Sequence, residues 1–186
     1  SEANRQVIVA FIGKHLKPGG LAYVSYNSMP GWASSGPLRG LIAEMGGIAE
    51  TAIARAIEAL IRHDEELAQT VVAGDAKLDA LEAEVDQLAV RIIALRAPMA
   101  DDLRDVIAAL KISGVVERIG DYGKSIAKRV PLLTQRTIRS IPLLKSMAAM
   151  ATDILRDVMK SYAAQDPILA ESAAARDKGV DDFYNG

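Results

Sequence analysis

Between residues 65 and 95 the positions Leu67, Val71, Gly74, Leu78, Leu81, Val85, Leu88, Ile92 and Leu95 step by four and three residues in strict alternation. That is a heptad seam held for four repeats, and it predicts a long helix packed in a bundle. A second stripe beside the seam is acidic: Asp75, Asp79, Glu82 and Asp86. Asp64 stands at the N-cap position, with Leu67 three residues on. Pro98 closes the segment, because a proline ring excludes helical geometry from the residue before it.

The stretch 98–129 reads as a second long helix. Its first half sets Leu103, Val106, Ile107 and Leu110 on one face. Its second half moves the apolar face to the other side, with Ile112, Val116, Ile119, Ile126 and Val130. At ~100° per residue, Glu117 and Asp121 continue the first face and are free to meet the acids of the preceding helix. Upstream, Ile42, Met45, Ala49, Ala52, Ala56 and Leu60 predict a helix over 38–62, with Pro37 as its first position. Gly46 and Gly47 interrupt it at about 1 kcal/mol each relative to alanine, which implies close packing there. Downstream, Leu144, Met147, Ala151, Ile154 and Val158 form the seam of a helix over 143–164, and another begins near Asp166 and Pro167.

The two parts of the chain match at an offset of 102 residues. Met45 aligns with Met147, Ala49 with Ala151, Asp64 with Asp166, Leu67 with Leu169, Asp75 with Asp177 and Asp79 with Asp181. This implies a duplicated helical unit whose second copy stops after two of its three helices, so the chain is expected to be truncated. The N-terminal region differs. Residues 2–16 suggest a short helix, Lys17 to Gly20 a turn, and Leu21 to Tyr26 a strand for which no later segment offers a partner.

Composition bounds the rest. Only 4% of residues are aromatic although half are apolar, a palette for helix packing. Twenty-two basic and 24 acidic residues give a net charge of −2, which argues against nucleic acid as a partner. The absence of cysteine excludes disulfides and thiolate metal sites and fits a reducing compartment. No apolar run approaches the roughly 20 residues of a membrane span. Neither a Ser-His-Asp or Cys-His arrangement nor a glycine-rich phosphate loop is present, so no catalytic residue is assigned.

The chemistry-bearing feature is three carboxylate pairs one helical turn apart: Asp75 with Asp79, Glu117 with Asp121, and Asp177 with Asp181. Each pair repels by a few tenths of a kcal/mol on an exposed helix. One reading is a solvated acidic face balanced by Arg118, Lys124 and Lys128. The other is a carboxylate-bound cation, since Mg²⁺, Mn²⁺ and iron accept oxygen ligands and two packed helices could converge four acids on it. Repetition in both halves strengthens the second.

Three segments resemble the PhoU family: EMGGIAETAIARAIEAL (44–60), AGDAKLDALEAEV (73–85) and ADDLRDVIAALKISGVVERIGDYGKSIAKR (100–129). The resemblance covers about 38–186. It implies an all-α fold of duplicated three-helix bundles, with an E/D-xxx-D motif in each repeat that can hold metal clusters (Fe, Mn or Mg). Residue by residue that motif falls on Asp75, Asp79, Glu117, Asp121, Asp177 and Asp181. It further implies a cytoplasmic, non-enzymatic, dimeric negative regulator of phosphate uptake, peripheral to the inner membrane. Such a protein links the ATPase of the phosphate ABC transporter to a sensor histidine kinase. The chain departs from the family in lacking the third helix of the second repeat, which deprives Asp177 and Asp181 of a partner, and in starting helix one with PLRGLIA.

The segment HLKPGGLAYVSYNSMPGW (15–32) resembles a late strand region of class I S-adenosylmethionine-dependent methyltransferases. The glycine-rich cofactor loop of that family is absent, so no methyl transfer is expected. The resulting organisation is a fragment over 1–36, a first PhoU-like repeat over 37–131 and a partial second repeat over 139–186. Two other readings stand beside the regulator: a structural helical dimerisation module, suggested by the heptad seam, and a remnant of a methyltransferase fusion.

Overall fold

A computed structural model describes residues 7, 10, 11, 14, 15, 32–133 and 141–185. Chain contacts divide the molecule into two units, 1–31 and 32–186. In the first, the described residues are helical, and the His15 imidazole donates from Nδ1 to the Phe11 carbonyl one turn back at 2.9 Å. The strand expected at 21–26 and the methyltransferase-like segment lie outside the described residues, apart from His15 and Trp32 at the segment's two ends.

The second unit is all-α. It contains α1 (Trp32–Arg62), α2 (Glu65–Arg96), α3 (Asp101–Ala127), a 3₁₀ turn (Val130–Leu132), α4 (Ile141–Ala164), α5 (Pro167–Ala175) and α6 (Asp177–Asn185). Helices α1, α2 and α3 pack on one another as a three-helix bundle; α4 lies on α1, and α5 and α6 fold back on α4. The bundle closes on Leu38, Ile42, Met45 and Ala49 of α1, Leu78, Leu81, Val85 and Ile92 of α2, and Val106, Ala109 and Val116 of α3. Fully burying a Val, Leu, Ile or Met side chain contributes about 1.5–3 kcal/mol, and the alanines less. Pro37 is inside α1 rather than at its first position, because the helix begins at Trp32. Near a helix start, where several backbone N–H groups lack intrahelical partners, a missing N–H costs little.

Two departures from the periodicity share a cause. In α2 the residues Val71, Leu78, Val85 and Ile92 are buried every seventh position, as the seam requires. Between them, however, Ala68, Asp75 and Ala89 are buried where the seam places Leu67, Gly74 and Leu88, and Leu95 is 78% exposed. A helix packed against two others buries a broader arc than a two-stranded seam, here centred one residue further round. In α3 the buried stripe does not change sides. It runs unbroken through Val106, Ala109, Ser113, Val116, Gly120, Gly123 and Ala127. Hydropathy misses it because most of these residues are small; Ile112, Ile119 and Ile126 lie on its flanks, half-buried.

Small residues are there because the helices approach closely. A Cβ on Gly123 would stand 3.0 Å from the carbonyl carbon of Ala52 and 3.2 Å from the backbone nitrogen of Ile53, so α3 meets the backbone of α1. A Cβ on Gly120 would collide with Leu78 Cδ2 of α2. Of the two glycines in mid-α1, only Gly46 is explained this way: its Cβ would fall 2.6 Å from Met159 Cγ on α4, whereas Gly47 faces open space.

The turns after α1 and α4 are built alike, 102 residues apart. His63 and Gln165 both take φ 53°. Asp64 and Asp166 follow; their amides donate to the Ala59 and Ser161 carbonyls at 3.0 and 2.9 Å. The Asp64 side chain accepts from the Leu67 amide at 2.9 Å, and that of Asp166 from Ile168 and Leu169 at 3.0 and 3.1 Å.

Candidate functional site

The acids of α2 and α3 meet along the edge where these helices cross. Glu82 marks the crossing, since a Cβ on Gly114 of α3 would stand 3.3 Å from Glu82 Oε1. Partial burial first, then the charges of Asp121, Glu82 and Asp79, raise the Glu117 carboxyl above its ordinary value. Burial, then Asp86 and Asp79, raise Glu82 likewise. Glu117 thus feels the charges of Asp121, Glu82 and Asp79, and Glu82 those of Asp86 and Asp79.

Asp75 has a different fate. Its side chain is 6% exposed and ion-paired to the ammonium of Lys124 from α3, which also reaches Asp121 at 3.4 Å. The hydrogen bond to Asp75 is the main cause that holds Lys124 above its ordinary value. A buried carboxylate must be paired or neutralised, and Lys124 does the pairing. The partners lie 49 residues apart, so helical spacing alone cannot reveal the bond. The usable signal was weaker: a lysine on the acid-bearing helix, three residues beyond Asp121.

The third acid pair, Asp177 and Asp181, sits on α6. Asp177 is exposed where its counterpart Asp75 is buried, and Asp181 is exposed as well. Among the described residues, no three acidic or imidazole side chains stand together as a ready set of metal ligands. The carboxylates of Asp79, Glu117 and Asp121, with Glu82, are of the right chemistry for a hard cation, and their mutual repulsion is what such an ion relieves. At Asp75 a cation has to displace an ammonium. Lys124 thus balances the charge of Asp75 and reaches that of Asp121 as well.

Fold and site together define a class: an all-α protein built on a three-helix bundle, whose chemistry lies in carboxylates at a helix crossing. Comparison with known proteins identifies the family within it. The PhoU domain family matches residues 42–130. The phosphate-specific transport system accessory protein PhoU homolog of Zymomonas mobilis is 52% identical over 151 residues, covering 81% of this chain and 64% of the relative. The homolog of the same description from Caulobacter vibrioides is 44% identical over 146 residues, covering 77% and 64%. The crystal structure of PhoU from Pseudomonas aeruginosa superposes with a TM-score of 0.78 at 32% identity, over 82% of this chain and 74% of that one. The chain belongs to the PhoU family, a family of accessory proteins and not of enzymes. It spans just under two thirds of the length of these curated relatives.

Proposed function

We propose that this protein is a regulatory accessory component of phosphate uptake. In this reading it restrains the phosphate transporter and the phosphate-starvation response when phosphate is plentiful, by linking the transporter ATPase to a sensor histidine kinase. The observation that carries it is the 52% identity, over most of this chain, to an accessory protein of the phosphate-specific transport system. The bundle supplies docking faces and not a reaction centre. No described helix is long and apolar enough to cross a membrane, so contact with the transporter is peripheral in this reading. The dimerisation reading loses its carrier, because Val71, Leu78, Val85 and Ile92 of the heptad seam are consumed inside the chain's own bundle.

The same proposal includes a carboxylate-bound cation at Asp79, Glu117 and Asp121, which stiffens the α2–α3 edge, with Asp177 and Asp181 as the corresponding pair of the second copy. Asp75 joins the first set only when Lys124 swings away. The regulatory part is tested by expressing the chain in a strain lacking its own PhoU, with a reporter on a phosphate-starvation promoter. Repression restored at high phosphate supports the reading; a reporter that stays on sinks it. The metal part is tested by elemental analysis of protein purified without chelator. Iron, manganese or magnesium lost in Glu117→Ala/Asp121→Ala is expected, and equal metal in both proteins overturns it.

A further inference from the structure

We infer that helices α4, α5 and α6 form a flap that opens from the three-helix bundle as one unit, and that Arg39 is the latch that holds it shut. Of the three helices, only α4 lies broadly on the bundle, along α1; α5 and α6 pack on α4. The apolar seat is thin. Among the described residues, Leu155 is the one buried apolar side chain that α4 supplies to the core, with Met159 and Tyr162 half-buried beside it. A segment with few buried apolar side chains opens at a smaller free energy than the core does.

Polar contacts at the far end of α4 make up for this. Arg39 of α1 has a side chain only 12% exposed and pairs with Asp105 of α3 at 2.6 Å; Asp105 also accepts from the buried Ser35 hydroxyl at 3.4 Å. The same guanidinium donates to the Tyr162 hydroxyl. The Gln165 amide, just past the end of α4, turns its oxygen to Arg39 at 3.2 Å from Nη1. Arg39 thus joins α1 and α3 to the C-terminal end of α4 through charge-assisted bonds, which are about twice as strong as neutral ones. The other ion pair across the seat, Glu50 with Arg156, links side chains 27% and 45% exposed, and a solvated pair adds little. The chain tethers the start of α4 to the 3₁₀ turn, and the 24 residues of α4 set the latch about 35 Å from that tether. A segment tethered at one end and pinned at the other swings when the pin is lost, and the swing uncovers Gly46 and Glu50 on α1.

The test is native-state amide hydrogen exchange of the full 186-residue chain. Amides of α4, α5 and α6 are expected to exchange together, roughly tenfold or more faster than the slowest of α2. Val85→Ala loosens the bundle core, which stays packed when the flap opens; it is expected to speed α2 and leave α4–α6 unchanged. Arg39→Met is expected to speed α4, α5 and α6 alike by roughly tenfold, and Arg156→Ala by no more than about threefold. Tyr162→Phe/Gln165→Ala removes the α4 side of the latch while Arg39 keeps Asp105, so it decides the question if Arg39→Met does not fold; the same rough tenfold is expected. Exchange of α4–α6 no faster than that of α2, or an equal acceleration of both by Val85→Ala, overturns the flap. So does an acceleration confined to the neighbours of Tyr162. Unchanged exchange of α4–α6 in Tyr162→Phe/Gln165→Ala, or an effect of Arg156→Ala as large, overturns the latch.

Discussion

Replacing Gly123 by alanine puts a methyl group 3.0 Å from the carbonyl carbon of Ala52 and 3.2 Å from the Ile53 amide nitrogen. Those atoms belong to the backbone of α1, so a rotamer change cannot relieve the contact; α1 and α3 have to move apart. Overpacking of this kind costs about 1–3 kcal/mol. The same substitution at Gly74 meets open space and collects only the helix-propensity gain, about 1 kcal/mol. Since alanine brings that gain at both positions, the difference between the two variants isolates the packing cost. Gly74→Ala is expected to be more stable than the unmodified chain, and Gly123→Ala less stable than Gly74→Ala by about 1–3 kcal/mol. At about 2–4 °C per kcal/mol for a chain of this size, the two melting temperatures separate by roughly 2–12 °C. Helicity followed by circular dichroism during heating reads the difference directly. A Gly123→Ala protein that melts at or above Gly74→Ala would refute the close approach of α3 to α1, and with it the reason for the small-residue stripe.

Other outcomes follow from the caps and the acids. Asp64→Ala removes the acceptor of the Leu67 amide and is expected to cost about 0.5–2 kcal/mol in urea unfolding; no loss argues against the cap. Glu117 has a folded-state pKa raised above its ordinary 4.5, so the folded protein holds that proton more tightly than the unfolded chain. The stability this contributes is complete below about pH 4.5 and is lost as pH rises through the folded value. Glu117→Gln is therefore expected to melt higher than the unmodified chain at pH 7, with the advantage shrinking on acidification toward pH 4.5. An advantage that grows on acidification contradicts the partial burial of Glu117 and the crowding of Asp121, Glu82 and Asp79 around it.

Much of the architecture was legible from local rules. The start of α2 and that of α5 are set by Asp64 and Asp166, whose side chains reach amides only two or three residues ahead. The end of α2 at Arg96 is set by Pro98 and by Ala97, which takes φ 42°. The acid pairs were legible too, because residues four apart on a helix share a face whatever surrounds it. The direction in which α3 faces was not. Hydropathy weights isoleucine heavily and glycine hardly at all, so Ile112, Ile119 and Ile126, which pack at the flanks of the core, outvoted Gly120 and Gly123, which stand at its closest approach.

Sequence by itself thus determined where the helices lie and which acids share a turn, since periodicity, caps and prolines act within a few residues. Only the tertiary structure decided which acids are neutralised. Asp75 and Asp79 have the same local chemistry, yet Asp75 is buried beneath the α2–α3 contact and bound to Lys124, while Asp79 remains exposed beside Glu117. One helical turn makes the difference, because the low-dielectric interior permits a carboxylate only with its partner and solvent does not impose that condition.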